Sequence, residues 1–445
     1  MKIKNKVLNT LLLLPLMNFY IIKALLEPPK LINGILLVIF IFSFIIINIR
    51  PINISYPSKR LKILSNGAEL LIAFIITVII NSAFCIYLIL NKVPQNNTQD
   101  FVIYAIIAVI TETFLFWNGI LKVYFTSVQL GIKLRIIGIA TGLIPLVHLI
   151  VLIKIISVTS AECKTENNFI KLNENRKAEK ICGTKYPILL VHGVFFRDMK
   201  LLNYWGRIPT ALIGNGATIY YGEQQSAASV KKAAAELATR IREIVEQTGC
   251  EKINVLAHSK GGLDMRYAIS KLGISQYIAS LTTINTPHQG CAFAEYLLNK
   301  APESLKNKIA DTYNNTLQNL GEKEPNFIEA VSDLTIKSCK KLNEEAPNAE
   351  NVFYQSTGSK LKKARNGKFP LNISYPMVSH FDGKNDGLVP VTSAKWGENF
   401  IYIEPTGKRG ISHADMIDLN RENIPGFDVR EFYIQLISDL KKRGF

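Results

Sequence analysis

The sequence predicts a chain of two parts, an all-α region that spans a membrane and an α/β domain with a mainly parallel sheet. Three observations predict this division. Of the 445 residues, numbers 1–156 carry 14 Lys or Arg and only four acidic residues, whereas 157–445 carry 38 and 31. Long apolar runs occupy the first part, and short apolar runs alternate with helical stretches in the second. The 48% hydrophobic content, without a Gly or Pro excess, excludes a disordered or collagen-like chain.

The apolar runs of the first part have the length of membrane-spanning helices, which need about 20 apolar residues. Four runs contain Glu112 as their only Asp, Glu, Lys or Arg, and the last of them, Ile136–Ile153, is followed by Lys154. A fifth, shorter run lies near the N-terminus. The sequence therefore predicts four to five spans, at about 7–26, 31–49, 70–90, 101–121 and 136–156. A cleaved signal peptide is the alternative for the first run, but no small-x-small cleavage site follows it.

Basic residues in the short loops predict the orientation of these spans. If the N-terminus with its three early lysines is cytoplasmic, the loops 50–69 and 122–135 are cytoplasmic too, and they hold four and three basic residues. The two outer loops carry one Lys each. Five spans then place everything after residue 156 on the extracytoplasmic face of the cell membrane.

In the second part, the polar segment 157–184 predicts a linker. The alternation of strand and helix patterns over 185–445 predicts an α/β domain. A helix is predicted at Ser229–Gln247, where an apolar stripe ends at Gly249. Seven short apolar runs predict strands: Ile188–Val191, Thr218–Tyr221, Ile253–Ala257, Ile278–Asn285, Val352–Gln355, Pro376–His380 and Phe400–Ile403.

A candidate nucleophile lies in the sequence Ala-His-Ser-Lys-Gly-Gly at 257–262, after a strand run and before a helical pattern. A nucleophile elbow needs small residues two before and two after its Ser, and Ala257 and Gly261 satisfy this. Ser259 then begins a helix, where the backbone amides stabilise negative charge. A chance Ser in a Gly-rich turn is the alternative, but the flanking strand and helix favour the elbow.

Two backbone amides are candidates for an oxyanion hole. The strand run at Ile188–Val191 ends in His192-Gly193, and the Gly lets the loop turn so that the next amide, that of Val194, faces an oxyanion. The second predicted donor is the amide of Lys260, directly after the nucleophile.

The order nucleophile, acid, histidine along the chain identifies the other two catalytic candidates. Of the six histidines, only His413 follows both plausible acids; His258 is expected to point away from the elbow. Asp386, in Asn-Asp-Gly-Leu-Val-Pro, is the predicted acid. Asp382 is the alternative, although Asp-Gly by itself is typical of a turn.

These motifs together resemble the bacterial true lipases, the triacylglycerol lipases of Pseudomonas, Burkholderia and Bacillus type within the α/β-hydrolase superfamily. The resemblance covers residues 186–415 and leaves out 1–156. The motifs that carry it are Val-His-Gly at 191–193, Ala-His-Ser-x-Gly-Gly at 257–262, Thr-Ile-Asn-Thr-Pro-His-x-Gly at 283–290, Asn-Asp-Gly-Leu-Val at 385–389 and Ser-His-Ala-Asp at 412–415.

The resemblance implies an α/β-hydrolase fold, with Ser259, Asp386 and His413 as a triad that hydrolyses acyl esters through an acyl-enzyme. The family often binds a structural calcium ion. Asp415 matches one ligand position, but residues 351–381 contain no Asp or Glu to match a second. No other cofactor is implied.

The sequence thus predicts a membrane-anchored lipase or carboxylesterase that acts on lipid or other acyl esters, with no nucleic-acid partner. An acyltransferase, in which an alcohol replaces water, is the alternative among enzymes. A membrane protein whose hydrolase-like domain only binds lipid or a partner is the alternative from another class. The complete Ser, Asp and His set argues against it.

About sixty residues, 291–350, separate the fourth predicted strand from the fifth, and they predict a helical lid over Ser259 that opens on lipid. Packing of these helices on the sheet is the alternative. Two apolar stripes support helices: Leu305, Ile309, Tyr313, Leu317 and Leu320 form one, and Phe327, Val331, Leu334 and Leu342 the other.

Two further features have an ordinary and a specific interpretation. The six cysteines lack zinc-site spacing, and free thiols are favoured over a Cys163–Cys182 disulfide. A basic loop is a solvated segment or faces anionic head groups; it contains Lys360, Lys362, Lys363, Arg365 and Lys368.

Overall fold

The structure, a computed structural model, describes residues 14, 17–19, 30–49, 56–91, 98–194, 204–300, 302–319, 325–404 and 407–445. The chain divides into two compact units, Met1–Leu172 and Asn173–Phe445. Most of the first predicted span, 7–26, lies outside the described residues.

Long apolar helices form the first unit. They are α1 (Lys30–Ile49), α2 (Lys59–Leu90), α3 (Thr98–Thr126), α4 (Gly131–Ala140) and α5 (Pro145–Arg176), the last of which ends in the second unit. Within the described part of the chain, three helical segments are long and apolar enough to cross a membrane, namely α2, α3 and Leu146–Glu179. A shorter apolar stretch, Gly34–Ile49, lies within α1.

Helices α2 and α3 pack closely through small residues. A Cβ on Gly119 would lie 2.9 Å from the Leu71 side chain, so the two backbones approach each other as membrane helices with small interface residues do. Asn81 Nδ2 donates to Glu112 Oε1 over 2.8 Å. The one carboxylate predicted inside a span is therefore bonded to a neighbouring helix.

Two predictions for this region are wrong. The span predicted at 136–156 is not one helix, because α4 ends at Ala140 and α5 begins at Pro145. Proline suits the first position of a helix, since its φ is fixed and it lacks an N–H. The predicted linker, 157–184, is instead α-helical as far as Arg176, and a 3-10 turn continues to Glu179.

A six-stranded parallel sheet is the centre of the second unit, which confirms the predicted sheet type. Its order is β2-β1-β3-β4-β5-β6. The loops at the carboxyl ends of neighbouring parallel strands lie along one edge, where α/β sheets bind ligands. The strands are β1 (Ile188–Val191), β2 (Ile219–Tyr221), β3 (Ile253–His258), β4 (Ile278–Ile284), β5 (Phe353–Ser359) and β6 (Asn399–Ile403).

Helices cover the sheet, and α7 matches the predicted helix. Ser229 caps its first turn by accepting from the Lys232 amide, and Gly249 ends it with a φ of 67°. The helices of this unit are α6 (Ile208–Gly214), α7 (Val230–Thr248), α8 (Lys260–Lys271), α9 (Ala292–Lys300), α10 (Glu303–Asn319), α11 (Phe327–Ser332), α12 (Ile336–Glu345), α13 (Leu371–Asp382), α14 (Val391–Ala394) and α15 (Val429–Lys442).

The strand predicted at Pro376–His380 is wrong, because this segment lies within α13. A five-residue apolar run cannot distinguish helix from strand by its periodicity. Burial shows the helical period, since Leu371 and Val378 are buried seven positions apart. The other six predicted strands are present.

Helices α9 to α12 occupy the predicted lid segment, 291–350. In the second predicted stripe, Phe327 and Val331 are buried against Cys291 and Ala294, within the insertion. Leu342 is instead buried in a cluster with Val230 of α7 and Leu263 of α8, so this stripe packs partly inside the insertion and partly on the helices that cover the sheet. All six cysteines of the chain are free thiols. The members of the first stripe lie outside the described residues or side chains: Leu305, Ile309, Tyr313, Leu317 and Leu320.

Candidate active site

Ser259 stands at the sharp turn between β3 and α8. Its φ of 55° and ψ of −132° lie in a backbone region that residues other than glycine rarely adopt. The Ser259 amide donates to the carbonyl of Ile284 over 2.9 Å, which ties the turn to the neighbouring strand β4. A strand, a sharp turn and a helix thus follow one another as a nucleophile elbow requires.

Close backbone approaches explain the small residues around this turn. A Cβ on Gly261 would lie 2.4 Å from the carbonyl oxygen of His192, and one on Gly193 would lie 2.7 Å from Ser259 Cβ. Both separations are too short for a real side chain. A larger residue at either position would therefore push the loop after β1 away from the elbow.

The loop after β1 is held by buried hydrogen bonds. Gln224 Nε2 donates to the His192 carbonyl over 2.9 Å, and the Gly193 amide donates to the Tyr204 hydroxyl over 3.0 Å. Val194, the first predicted oxyanion donor, is buried, and residues 195–203 after it lie outside the described part. The second predicted donor, Lys260, begins α8, where amides have no intrahelical partner.

His413 and Asp386 are directly bonded. His413 Nδ1 donates to Asp386 Oδ2 over 2.7 Å, and the His413 amide donates to the Asp386 carbonyl over 2.9 Å. Asp386 is fully buried and His413 is 7% exposed. These two bonds fix both the position and the orientation of the imidazole.

Three further donors hold the Asp386 carboxylate. Asn285 Nδ2 donates to Oδ2 over 2.6 Å, and the amides of Leu388 and Val389 donate to Oδ1 over 2.9 and 2.8 Å. Hydrogen bonds to both oxygens stabilise the negative charge of this buried group. Asn285 was missed by the sequence reasoning, although it is a polar residue directly after a buried strand.

His258 has a position that the sequence did not reveal. Its ring packs against that of His413, with centroids 4.4 Å apart, and its Nδ1 lies 2.7 Å from the Tyr204 hydroxyl. Burial lowers the pKa of His258 well below the usual value for histidine, and the charge of His413 lowers it further. The ring that packs against the imidazole of His413 is therefore a neutral one, that of His258.

The side chain of Lys260 is buried beside the elbow in an ion pair. Its Nζ lies 2.7 Å from Asp264 Oδ1, one helical turn further along α8. Burial raises the pKa of the Asp264 carboxyl to about 7, although Lys260 acts against this shift. The pair fixes the first turn of α8 without using the Lys260 amide.

Asp382, the alternative acid, has a structural contact. Its two carboxylate oxygens accept from the amides of Ala292 and Phe293 over 3.1 and 3.2 Å, so Asp382 caps the beginning of α9. The carboxylate bonded to His413 is that of Asp386.

Asp415 does not fit a calcium site. Arg409 donates to both of its carboxylate oxygens, over 2.6 and 3.1 Å, and the Ser412 amide donates to one of them over 2.8 Å. Arg409 also bonds Glu422. Calcium needs six to eight oxygen ligands, and no metal-binding group of three or more His, Cys, Asp or Glu occurs among the described residues. A guanidinium holds the carboxylate that the resemblance assigned to calcium.

The second unit is similar in sequence to known lipases and esterases. Residues 208–324 match the family model DUF676, whose description reads "Putative serine esterase". A triacylglycerol lipase of Saccharomyces cerevisiae is 28% identical over 265 residues, which cover 56% of this chain and 77% of that protein. A triacylglycerol lipase of Burkholderia plantarii is 29% identical over 184 residues, which cover 39% of this chain and 51% of that protein.

The chain is also similar to solved structures. A Bacillus licheniformis lipase in its mature form is 23% identical, with a TM-score of 0.44, over 57% of this chain and 92% of the other. The parallel sheet with its flanking helices and the elbow fit an α/β-hydrolase fold. The sequence matches support a serine ester hydrolase.

Proposed function

We propose that the protein is a membrane-anchored serine ester hydrolase of lipase type, with Ser259, His413 and Asp386 as its catalytic triad. One observation carries the proposal: the bonded pair of His413 and Asp386 packs against His258, the residue directly before a serine in a strained elbow turn.

In the proposed reaction, the Ser259 hydroxyl oxygen attacks the carbonyl carbon of an ester while His413 takes its proton. Asp386 orients the imidazole and stabilises the imidazolium. The tetrahedral intermediate then collapses, and the alcohol leaves with the proton from His413. Water attacks the acyl-enzyme, gives a proton to His413 and releases the carboxylic acid, and the Ser259 hydroxyl is restored.

The amides of Val194 and Lys260 are proposed to bind the oxyanion of each tetrahedral intermediate. The tight approach of Gly193 to Ser259 supports this role, because it holds the loop after β1 beside the nucleophile. The buried pair of Lys260 and Asp264 supports it from the other side, since it fixes the turn that carries the second amide.

Labelling with a fluorophosphonate, together with a panel of glyceride, phospholipid and short-chain esters, tests the nucleophile. The wild type and the control Ser275→Ala should be labelled and active, and Ser259→Ala should be neither. Equal labelling of Ser259→Ala would overturn the assignment. Added glycerol or sterol separates hydrolysis from acyl transfer, because in water a transferase gives mainly new ester and a hydrolase gives mainly free acid.

Membrane anchoring is proposed from the apolar helices of the first unit, and the extracytoplasmic position of the second unit from the basic loops. Trypsin added to intact cells should cut at the exposed lysines Lys177 and Lys180, between α5 and β1, and produce a fragment that contains the second unit. Cleavage only after the cells are lysed would reverse the orientation. Extraction of the full chain by alkaline carbonate, without detergent, would contradict the anchoring itself.

A further inference from the structure

A stripe of exposed apolar side chains runs along α13. Phe369, just before the helix, and Ile373, Met377 and Phe381 within it recur at every fourth position, which places them on one side of the helix. Their exposed fractions are 80, 50, 46 and 41%. Phe369 is the most exposed large apolar side chain in the described part of the second unit.

The stripe extends onto a second helix, while the opposite side of α13 is already used for packing. Tyr296 of α9 is also exposed, and its ring lies 4.8 Å from that of Phe381. Leu371 and Val378 face the interior of the unit. A contiguous apolar patch of this kind on a folded surface marks a site of interaction.

A basic cleft of about 630 Å³ adjoins the beginning of this stripe, because Lys368 lines it and Phe369 follows directly. The single acid in its lining, Glu422, is bonded to Lys368 over 2.6 Å and to Arg409 over 3.0 Å. Among the described carboxylates, none forms a salt bridge with the other four cations of the cleft: Lys362, Lys363, Arg365 and Lys408.

Main-chain contacts hold the two loops of this cleft together. The Lys362 amide donates to the Arg409 carbonyl over 3.2 Å, and Asn366 Nδ2 donates to the same carbonyl over 2.8 Å and to that of Lys408 over 3.3 Å. The four cations without a salt bridge therefore belong to a surface that is held by hydrogen bonds.

Both features are joined to the loop of Asp386. The Leu361 amide, at the edge of the basic loop, donates to the Asn385 carbonyl over 2.9 Å, and the Ser374 hydroxyl of α13 donates to the Gly387 carbonyl over 2.6 Å. The apolar stripe and the basic cleft thus flank the loop that holds the acid of the proposed triad.

We propose that this face of the second unit binds the surface of an anionic bilayer. The apolar stripe enters the boundary between head groups and acyl chains, and the cleft binds lipid phosphates. This combination of apolar and cationic groups is typical of interfacial helices. A soluble anion would leave the stripe in water, and an apolar partner would leave four cations uncompensated. The inference goes beyond the proposed hydrolysis and rests on none of its catalytic residues.

Site-specific labelling of the full chain in nanodiscs tests the contact. Four of the six cysteines are buried, so Cys85 and Cys250 are replaced by Ser. An environment-sensitive dye is attached at Ile373→Cys or, as a matched control, at the exposed Ile213→Cys of α6. Nanodiscs of phosphatidylcholine with phosphatidylglycerol and nitroxide-labelled lipid should quench and blue-shift the dye at 373, and leave the dye at 213 unchanged. Absence of quenching at 373, or equal quenching at both positions, would overturn the proposal.

The charged part of the face is tested by the lipid composition. Quenching at 373 should weaken in pure phosphatidylcholine and at about 1 M salt, where the Debye length is about 3 Å. Lys362→Gln and Lys408→Gln should each weaken lipid contact about fivefold, whereas Lys340→Gln on α12 should not. Unchanged quenching in the Lys362→Gln, Lys408→Gln double variant would remove the cleft from the proposal.

Two further arms separate bilayer contact from ester hydrolysis and from the binding of a free anion. The dye at position 373 should be quenched in Ser259→Ala as strongly as in the parent. A variant can therefore lose hydrolysis and keep bilayer contact, or lose bilayer contact and keep hydrolysis, so the two proposals are tested separately. Protection of the cleft lysines from acylation by inorganic phosphate is measured in neutral nanodiscs. Protection there, together with no quenching at 373 in anionic nanodiscs, would assign the cleft to a free anion and overturn the bilayer contact. Circular dichroism melts identify any variant that fails to fold.

Discussion

The imidazole rings of His258 and His413 lie against each other, with their centroids 4.4 Å apart. His258 also contacts the hydroxyl of Tyr204, which accepts a hydrogen bond from the Gly193 amide. One buried side chain therefore connects the loop after β1 with the histidine of the proposed triad. Because the pKa of His258 is well below its usual value, this contact adds no positive charge beside His413.

Acidification should destabilise the second unit. Burial holds the pKa values of His258 and His288 well below the usual value, so the unfolded chain takes up protons below about pH 6.5 that the folded state does not bind. Asp264 acts in the opposite direction, because its folded-state pKa is about 7 and the folded state gains a proton there. The net effect is a loss of at most about 1.4 kcal/mol per pH unit.

Thermal unfolding between pH 7 and pH 5 measures this effect. The Tm should fall with the pH, and His288→Gln, which retains a hydrogen-bonding group near Thr283, should have a smaller dependence. A Tm that stays constant or rises as the pH falls would contradict the assignment of neutral buried histidines.

Replacing Asp386 should separate the proposed acid from its alternative. Asp386→Asn keeps the size of the side chain but cannot stabilise the imidazolium, so kcat should fall by about 10³ to 10⁴. Asp382→Asn should leave kcat within a few-fold and cost about 1 kcal/mol of stability, because the amide keeps one acceptor oxygen and loses the second bond to the beginning of α9. Equal losses of kcat in the two variants would contradict the choice of Asp386 over Asp382 as the catalytic acid.

A methyl group at Gly261 should damage the elbow. The new Cβ would meet the His192 carbonyl at 2.4 Å, so Gly261→Ala should cost about 1–3 kcal/mol and most of the activity. Gly214→Ala is the matched control, since nothing lies within 4 Å of its Cβ. Activity and Tm of both variants decide the matter; a fully active Gly261→Ala would mean that the loop and the elbow are not in tight contact.

Arg409 should stabilise the loop around Asp415, which is the role that the resemblance gives to calcium. Chelation should change activity and Tm little, whereas Arg409→Ala should cost about 3 kcal/mol, because it leaves the buried Asp415 carboxylate unpaired. Lys408→Ala next to it should stay within about 0.5 kcal/mol of the parent. If chelation lowered both quantities and calcium restored them, a metal site would have to be present after all.

The insertion α9 to α12 is expected to act as a lid. A short-chain ester taken through its solubility limit should then show a jump in hydrolysis rate at aggregation, since lipid surfaces favour the open state. A smooth saturation curve would leave these helices only the packing role that Phe327 and Val331 already have.

Local patterns determined a large part of this protein. Three features depend only on residues close together in the sequence, so they can be predicted from it. They are the strand runs at 188–191 and 253–257, the small residues around Ser259 and the cap residues of α7. The short run at 376–380 lacked such a signal, and only packing against the interior decided that it is helical.

Long-range contacts decided what the sequence left open. Asp386 rather than Asp382 meets His413 because the loop after α13 folds back beside β4, where Asn285 Nδ2 donates a hydrogen bond to the Asp386 carboxylate. Likewise, only the folded chain brings Arg409 onto Asp415 with Glu422. Composition and periodicity encode which side chains a segment buries, but not which distant carboxylate, imidazole or guanidinium it will meet. Those pairings depend on the relative positions of loops that only the assembled sheet fixes.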